Sequence, residues 1–524
     1  MAWLVAMPVM IILASLASPE PDIWAHLYEY VLGELLVNTL WLVLGVSAGT
    51  FMIGTSLGWL LASYRFPGSR VLSWALLLPM AIPAYVMAFV FIGLLDFTGP
   101  VQSVIRELFG SSAWFPRIRS TGGVILVLSL ALYPYVYLLA RNAFATQGTR
   151  AMEAAQTLGL NRKKGFFRVA LPMARPWIIG GLMLVLMETL ADFGTVAVFN
   201  FDTFTTAIYK TWFGMYSLNA ASQLASILIV LVFALLVIEQ LSRARMRYTQ
   251  TGRGQPIQRI KLTGISAWLA SGFGLLILSI AFIVPALQLL FWASDFVLTQ
   301  TDARYISLLG HSLILSSMTA CIITALALLL AYSKRSANIP LTQTAVRIST
   351  IGYALPGPVL AVGIFIVIAW TDQSLQAWLK SAFHLETGNL LQGTLLIMLT
   401  AYVIRFLAVG FNAVDSAMHR LPISLDEASR SLGVHGLTML RRVHAPILGS
   451  GLITAIILVF VDVMKEMPIT LMTRPFGWDT LAVRIFELTS EGEWQQAALP
   501  AITLVLAGLI PIIFLSRQAD KMHS

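Results

Sequence analysis

The sequence has little charge and almost no cysteine. Of its 524 residues, 11% are Asp, Glu, Lys or Arg, 58% are hydrophobic, and the mean hydropathy is +0.80. Because soluble domains are about 25% charged, this composition excludes a water-soluble fold. The single cysteine, Cys321, can form neither a disulfide framework nor a cysteine metal site. The seven histidines form no close pair at metal-ligand spacing, so we predict no bound metal.

The sequence also lacks the residues that nucleotide hydrolysis and other catalysis require. It has no G-x-x-x-x-G-K-[ST] loop, and the dipeptide Gly-Lys does not occur. No Ser-His-Asp, Cys-His or metal-hydrolase spacing is present. We therefore predict a chain that is not an enzyme and binds no cofactor, with an intramembrane enzyme as the rival class.

Apolar runs of about 20 residues, long enough to cross a bilayer as helices, recur along the chain. They predict an all-α polytopic membrane protein with about 12 transmembrane helices, near residues 2–18, 36–62, 72–95, 122–144, 174–198, 220–240, 266–293, 311–332, 345–370, 391–412, 449–472 and 498–516. The first run resembles a signal peptide, but no positive charge precedes it, so we interpret it as a retained span.

Lysine and arginine are concentrated in alternate loops between these spans. The richest loops are 150–175, 241–264 and 420–442, and the intervening loops contain most of the acids. The positive-inside rule therefore predicts a multi-pass membrane protein with both termini in the cytoplasm. Loop 97–120, with three arginines, departs from this pattern. Because the net charge of +9 follows the topology, we expect the lipid bilayer as a partner and no nucleic acid.

The chain aligns with itself when it is shifted by about 274 residues. Residues 78–83 correspond to 351–356, and residues 153–159 correspond to 427–433. We predict a first six-span repeat over 1–240, a basic cytoplasmic linker over 241–264 and a second six-span repeat over 265–524. Because each repeat has an even number of spans, the two repeats have the same orientation. This layout fits either a self-powered secondary transporter or a permease that a separate ATPase drives.

Two cytoplasmic loops at matching positions distinguish these classes. One reads Glu153-Ala154-Ala155 and continues to Gly159 and Pro172; the other reads Glu427-Ala428-Ser429 and continues to Gly433 and Pro446. Glu and Ala favour a helix, and a glycine in the left-handed conformation can end it. A single copy would indicate an ordinary amphipathic loop helix, whereas two matched copies indicate a shared function.

These loops resemble the EAA signature of ATP-binding-cassette import permeases. The resemblance implies a short helix that docks into a groove on a separate ATPase subunit, and ATP that is used by partner subunits alone. It also implies a place in the bacterial inner membrane, with two copies of a cytoplasmic ABC ATPase and a periplasmic substrate-binding protein as partners. The ATPase-coupling residues would be Glu153, Ala154, Ala155, Gly159, Glu427, Ala428, Ser429 and Gly433.

Four acids fall well inside the predicted spans, as the matched pairs Glu188 and Asp192, and Asp462 and Glu466. A charge at the middle of a bilayer costs about 2.5–3.5 kcal/mol on insertion scales, so four such residues need a reason. They could line a translocation pathway or gate for a cation. They could also satisfy backbone groups where Gly194 and Pro468 are expected to break the helices, and the two roles are compatible.

Two basic residues in the predicted spans are relevant to whether the four acids line a pathway or satisfy backbone groups. Lys465 is three residues from Asp462, close enough on a helix to neutralise it. Arg405 lies deep in the tenth predicted span, and we expect its side chain to extend to the inner interface.

The residues around these acids resemble the fused permeases of bacterial ferric-iron importers. The similar stretches are 188–196, 205–212, 220–225, 465–471 and 474–475. The resemblance implies that a periplasmic binding protein delivers Fe(III) to the outer face of the permease. Fused permeases for thiamine, polyamines or aminophosphonates have the same layout, and they remain alternatives for the substrate.

Overall fold

The computed structural model describes residues 1–18, 20–148, 155–157, 159–244, 259–300, 302–337 and 339–523. Up to residue 300 the elements are α1 (Ala2–Ala14), α2 (Pro21–His26), α3 (Leu32–Ser63), β1 (Tyr64–Arg65), α4 (Ser69–Ala75), α5 (Ala84–Leu95), α6 (Pro100–Phe109), α7 (Thr121–Ala143), α8 (Arg162–Gly165), α9 (Leu171–Ala191), α10 (Gly194–Val198), α11 (Phe204–Tyr209), α12 (Leu218–Ala244), β2 (Ile260–Lys261), α13 (Ile265–Leu278) and α14 (Val284–Gln300).

The remaining elements are all helical. They are α15 (Ala303–Ser336), α16 (Pro340–Thr350), α17 (Gly357–Phe383), α18 (Leu395–Met418), α19 (Ile423–Ser431), α20 (Gly436–Met439), α21 (Ala445–Ile447), α22 (Gly449–Met464), α23 (Pro468–Thr473), α24 (Leu481–Ser490) and α25 (Ala498–His523). Short 3-10 turns occur at Ser15–Ala17, Leu78–Ala81 and Ile351–Ala354. Single π-helical turns occur at Leu27–Val31, Phe144–Gly148, Phe166–Ala170, Lys210–Gly214, Ser279–Ile283 and Leu440–His444.

Among the described residues, nine helical segments are long and apolar enough to cross a membrane. Counting Gly436–Ile447 and Gly449–Met464, which meet at a bend of 82°, as one span raises the number to ten. Three more apolar segments, Ala2–Ala17, Ser69–Ala81 and Ala498–Ile513, are shorter. The prediction of an all-α polytopic membrane protein is confirmed, and the number of twelve spans stays a prediction.

Two of the predicted spans are not continuous helices. The span predicted over 72–95 consists of α4, the turn Leu78–Ala81 and α5, and the span predicted over 345–370 consists of α16, the turn Ile351–Ala354 and α17. Pro83 and Pro356 stand directly before α5 and α17, and the residues before these prolines are extended. Proline disfavours the helical conformation of the preceding residue, so the chain must break there.

Contacts divide the chain into two compact units that do not coincide with the sequence repeats. Unit I comprises Met1–Tyr30, Phe204–Ile229 and Val297–Glu491, and unit II comprises Val31–Thr203, Val230–Phe296 and Gly492–Ser524. Within unit I, α1 packs against α16 and α17. Within unit II, α13 packs against α4, and β2 pairs in parallel with β1. Sequence similarity marks equivalent segments and does not determine which segments pack together, so the repeat boundaries stay predictions.

Four glycines of α3 allow α7 to pack closely against it in unit II. A Cβ atom at Gly54 would lie 2.7 Å from Val136 Cβ and 2.9 Å from the Tyr137 nitrogen, and a Cβ at Gly58 would lie 3.0 Å from Ala140 Cβ. Gly45 and Gly49 face the α7 residues Ile125 and Ser129 in the same way. Small residues at four-residue spacing let membrane helices associate by backbone contact, where no hydrophobic force between helices is available.

The substitution Gly54→Leu should separate α3 from α7 and lower the midpoint of thermal unfolding in detergent by several degrees, because the added side chain overlaps backbone atoms. The matched control is Gly33→Leu in the same helix, where a Cβ meets nothing within 4 Å. Equal midpoints for the two variants would contradict the close packing.

Candidate functional site

The second EAA loop forms a short helix with a defined end. Helix α19 ends at Ser431, and Gly433 follows it with a φ of 76°. The Gly433 nitrogen donates to the Arg430 carbonyl at 3.0 Å, and the Val434 nitrogen donates to the Ser429 carbonyl at 2.9 Å. This pair of hydrogen bonds is the Schellman motif, which requires a left-handed residue after the helix.

The first EAA loop has the same end. Gly159 has a φ of 81°, its nitrogen donates to the Gln156 carbonyl, and the Leu160 nitrogen donates to the Ala155 carbonyl, both at 3.0 Å. The prediction that Gly159 and Gly433 bend the chain after each helix is therefore confirmed. Glu153 and Ala154 lie outside the described residues.

The EAA residues of α19 point in different directions. Glu427 and Ala428 are exposed, whereas Ser429 is buried and donates from its Oγ to the Leu425 carbonyl at 2.7 Å. Ala155, the counterpart of Ser429, is also buried. The third residue of the signature thus packs inward in both loops. In the second loop the first two residues remain available to a partner, together with the exposed apolar Ile423 and Leu432.

A buried polar network lies beneath α19, and the sequence analysis did not identify it. The Arg335 Nε donates to Asp426 Oδ2 at 2.7 Å, and the His444 Nε2 donates to Asp426 Oδ1 at 2.9 Å. Burial alone would raise the pKa of the Asp426 carboxyl, but the hydrogen bonds from Arg335 and His444, with the Arg335 charge, hold that pKa below 3.8. Sequence spacing gives no signal here, because Arg335 and Asp426 are 91 positions apart.

Asp192 and Glu466 lie at matching breaks in the membrane helices. Helix α9 ends at Ala191 and α10 begins at Gly194, while α22 ends at Met464 and α23 begins at Pro468, as the sequence predicted. Asp192 Oδ1 accepts a hydrogen bond from the Val196 nitrogen at 3.1 Å, and Glu466 Oε1 accepts one from the Ile469 nitrogen at 3.0 Å. Each carboxylate thus satisfies a backbone donor that the break would otherwise leave unpaired.

Arg405 does not extend to the interface, so that interpretation was wrong. Its Nε lies 3.5 Å from Glu466 Oε2, its Nη1 donates to the Leu355 carbonyl at 3.2 Å, and its side chain is only 12% exposed. A Cβ atom at Gly357 would lie 3.2 Å from both Arg405 Nη1 and Glu466 Oε1. The breaks at 355–357 and 465–467 therefore meet at one buried ion pair, which explains why an arginine is stable at this depth.

Glu188 and Asp462 occupy the turn before each break, in α9 and α22, and both are half-buried. Among the residues that the structure describes, no group of three or more His, Cys, Asp or Glu side chains could hold a metal ion.

Comparison with known proteins defines the class of this chain. Residues 54–291 match the family of binding-protein-dependent transport system inner membrane components. Together with the helical membrane fold, this match identifies the chain as the permease of a binding-protein-dependent importer, a multi-pass membrane protein of a bacterial transport system.

Three ferric permeases are similar to this chain over 78% or more of its length. The chain is 26% identical to the Fe(3+)-transport system permease protein FbpB 2 of Haemophilus influenzae, over 94% of this chain and 92% of that protein. It is 22% identical to the ferric transport system permease protein FbpB of Actinobacillus pleuropneumoniae, over 84% of this chain and 64% of that protein. The putative 2-aminoethylphosphonate permease PhnV of Salmonella typhimurium is 31% identical over 32% of this chain and 57% of its own length. The resemblance to fused iron-type import permeases is confirmed.

The substitution Arg405→Met removes the cation beside the buried Glu466. Removing one partner of a buried pair costs about 3–5 kcal/mol, so the midpoint of thermal unfolding in detergent should fall. Arg405→Met combined with Glu466→Gln should recover most of the loss, because the amide is neutral and still accepts from the Ile469 nitrogen. Arg420→Met, at an exposed arginine, is the control. A single variant as stable as the wild type would show that the ion pair is not structural.

Proposed function

We propose that this chain conducts ferric iron, delivered by a periplasmic binding protein, across the inner membrane into the cytoplasm. Two copies of a separate ABC ATPase hydrolyse ATP and dock on the two EAA loops, with both chain termini in the cytoplasm. The observation behind this proposal is the pair of EAA segments with the same Schellman end, of which the second presents Glu427 and Ala428 outward.

Docking at these segments has a physical basis in the exposed side chains of α19. Ile423 is 72% exposed and Leu432 is 81% exposed, so both apolar side chains are free to be buried against a partner. Glu427 between them offers a carboxylate for pairing with a cation at the rim of a groove. When ATP draws the ATPase subunits together, the docked loops move, and the repeats expose the pathway to alternate sides.

Iron is favoured as the substrate by the length of the similarity to ferric permeases, which covers 94% of this chain. Carboxylate oxygens suit hard cations, and Glu188 and Asp462 are the membrane acids that we assign to the translocation pathway. We assign Asp192 and Glu466 to the helix breaks, where they also shape the gate. A second candidate, 2-aminoethylphosphonate, is favoured only by a similarity over 32% of the chain.

Changing both bend glycines should uncouple the permease from ATP hydrolysis. A β-branched residue in the left-handed conformation costs about 1–2 kcal/mol, so Gly159→Val with Gly433→Val should lower uptake by about tenfold. The effect is conformational, because a Cβ at either position meets nothing within 4 Å. Uptake and ATP hydrolysis would be measured in proteoliposomes with the ATPase and the binding protein.

The control for this test is Gly449→Val, at a helical glycine that also has open space around it. Normal uptake by the double variant, with normal ATP hydrolysis, would refute the docking role of the loops.

The two kinds of membrane acid should respond differently to neutralisation. Glu188→Gln with Asp462→Asn should lower the rate of Fe(III) uptake several-fold and leave the folded yield unchanged. Asp192→Asn with Glu466→Gln should lower the folded yield first, because an amide caps a helix less well than a carboxylate. The measurements are uptake in proteoliposomes and monodisperse yield after solubilisation. Full uptake by the first double variant would remove Glu188 and Asp462 from the pathway.

A further inference from the structure

Outside the membrane breaks, Arg335 at the end of α15 is a charged side chain with many hydrogen bonds and little exposure. A guanidinium has five N–H donors, and here all five have acceptors. Nε and Nη2 donate to Asp426 at 2.7 and 3.2 Å, Nη1 donates to the Met418 and Leu421 carbonyls at 2.9 and 3.0 Å, and Nη2 also donates to the Pro422 carbonyl at 3.0 Å. The Arg335 and Asp426 side chains are 14% and 10% exposed.

These acceptors belong to successive parts of the chain. Met418 ends α18, Leu421 and Pro422 form the turn that follows, and Asp426 lies in the first turn of α19. One planar group therefore fixes the direction in which α19 leaves α18, and it ties both helices to the end of α15. A guanidinium can hold several acceptors in a fixed plane, which a lysine ammonium cannot do.

The network continues into the segment that leads back to the membrane. His444, in the π-helical turn before α21, is fully buried and donates to the second oxygen of Asp426 at 2.9 Å. Tyr332, one turn before Arg335 on α15, donates from its hydroxyl to the Gly436 carbonyl at 2.9 Å and packs against the His444 ring. Helix α19 is thus held at its first turn by charged hydrogen bonds, while Glu427 and Ala428 face outward.

We propose that Arg335, Asp426 and His444 are positioning residues that join the docking helix α19 rigidly to the membrane helices α15 and α18. Because the network is rigid, a displacement of α19 by a docked ATPase moves α15 and α18 as well, and the angles between α19 and these two helices stay the same. The role rests on the proposed function, because it assumes that an ATPase binds α19. A salt bridge stabilises a structure more strongly when it is shielded from water and belongs to a network of several hydrogen bonds. The ion pair between Arg335 and Asp426 meets both conditions.

The same chemistry cannot form in the first repeat. The residues at the positions of Asp426 and His444 are Met152 and Ala170, so the first repeat has neither the carboxylate nor the N–H donor there. Met152 lies outside the described residues. The first repeat therefore lacks this pair of polar side chains at the corresponding positions, although it shares the EAA residues and the glycine bend.

The attachment can be measured directly by the distance between two spin labels within unit I. The native Cys321 is exposed on α15, 14 positions before Arg335 and so about 21 Å along the helix axis. A second label at Arg430→Cys, an exposed position on α19, completes the pair. We expect a narrow distance distribution in the otherwise unchanged chain. Arg335→Gln should broaden it at least twofold, and Arg335→Lys should not restore it.

Two further variants make the result specific. Asp426→Asn keeps the shape of the side chain and serves if Arg335→Gln fails to fold; it should broaden the distribution as well. Arg347→Gln, at an exposed arginine on α16, is the matched control and should leave the distribution narrow. An unchanged distribution in Asp426→Asn and in every folded Arg335 variant would overturn the proposal.

The functional arm uses unlabelled chains in proteoliposomes with the ATPase and the binding protein. Arg335→Gln and Asp426→Asn should lower the uptake per ATP hydrolysed at least threefold, whereas the control Arg347→Gln should leave it unchanged. A broadened distance distribution with unchanged uptake per ATP would overturn the positioning role. Wild-type uptake that is indifferent to the ATPase would refute the proposed function itself, and the distance measurement would still report whether the network holds α19.

Discussion

Inside a bilayer the backbone must find all its hydrogen-bond partners within the protein, because no water is available to replace them. This constraint applies at four of the points where membrane helices break in the part of the chain that the structure describes. Pro83 and Pro356 interrupt two spans, and the breaks after Ala191 and Met464 interrupt two others. At the latter pair, Asp192 and Glu466 accept from backbone nitrogens that have no helical partner. These two carboxylates therefore have a structural role in pairing the backbone at the breaks.

A buried carboxylate that pairs with the backbone needs a partner for its own charge, and the two repeats differ in the side chains around it. Glu466 is buried beside Arg405, whose guanidinium also takes the Leu355 carbonyl exposed by the neighbouring break. Gly357 leaves the space that this pair occupies, whereas the first repeat has Ala84 at the corresponding position. The predicted repeats thus correspond in the positions of the breaks and differ in the side chains that compensate for them.

The two EAA segments likewise share a backbone conformation and differ in side-chain contacts. In both, a glycine at a φ near 80° ends the helix with the same two hydrogen bonds, and the third residue of the signature is buried. In α19, however, Asp426 also accepts hydrogen bonds from Arg335 and His444. The second signature therefore combines exposed residues with a residue that packs into the permease, and substitutions on the two faces have different physical effects.

The sequence by itself determined the class of fold, the repeat, the positions of the acids and the glycine bends, because these depend on local apolar runs, spacing and backbone preference. The matched breaks at Gly194 and Pro468 were predictable for the same reason. The tertiary structure alone decided that Arg405 pairs with Glu466, that Arg335 binds Asp426, and that Met1–Tyr30 and Phe204–Ile229 pack with Val297–Glu491. Such contacts join residues far apart in the chain, and apolar helices have many equivalent ways to pack, so no local pattern specifies them.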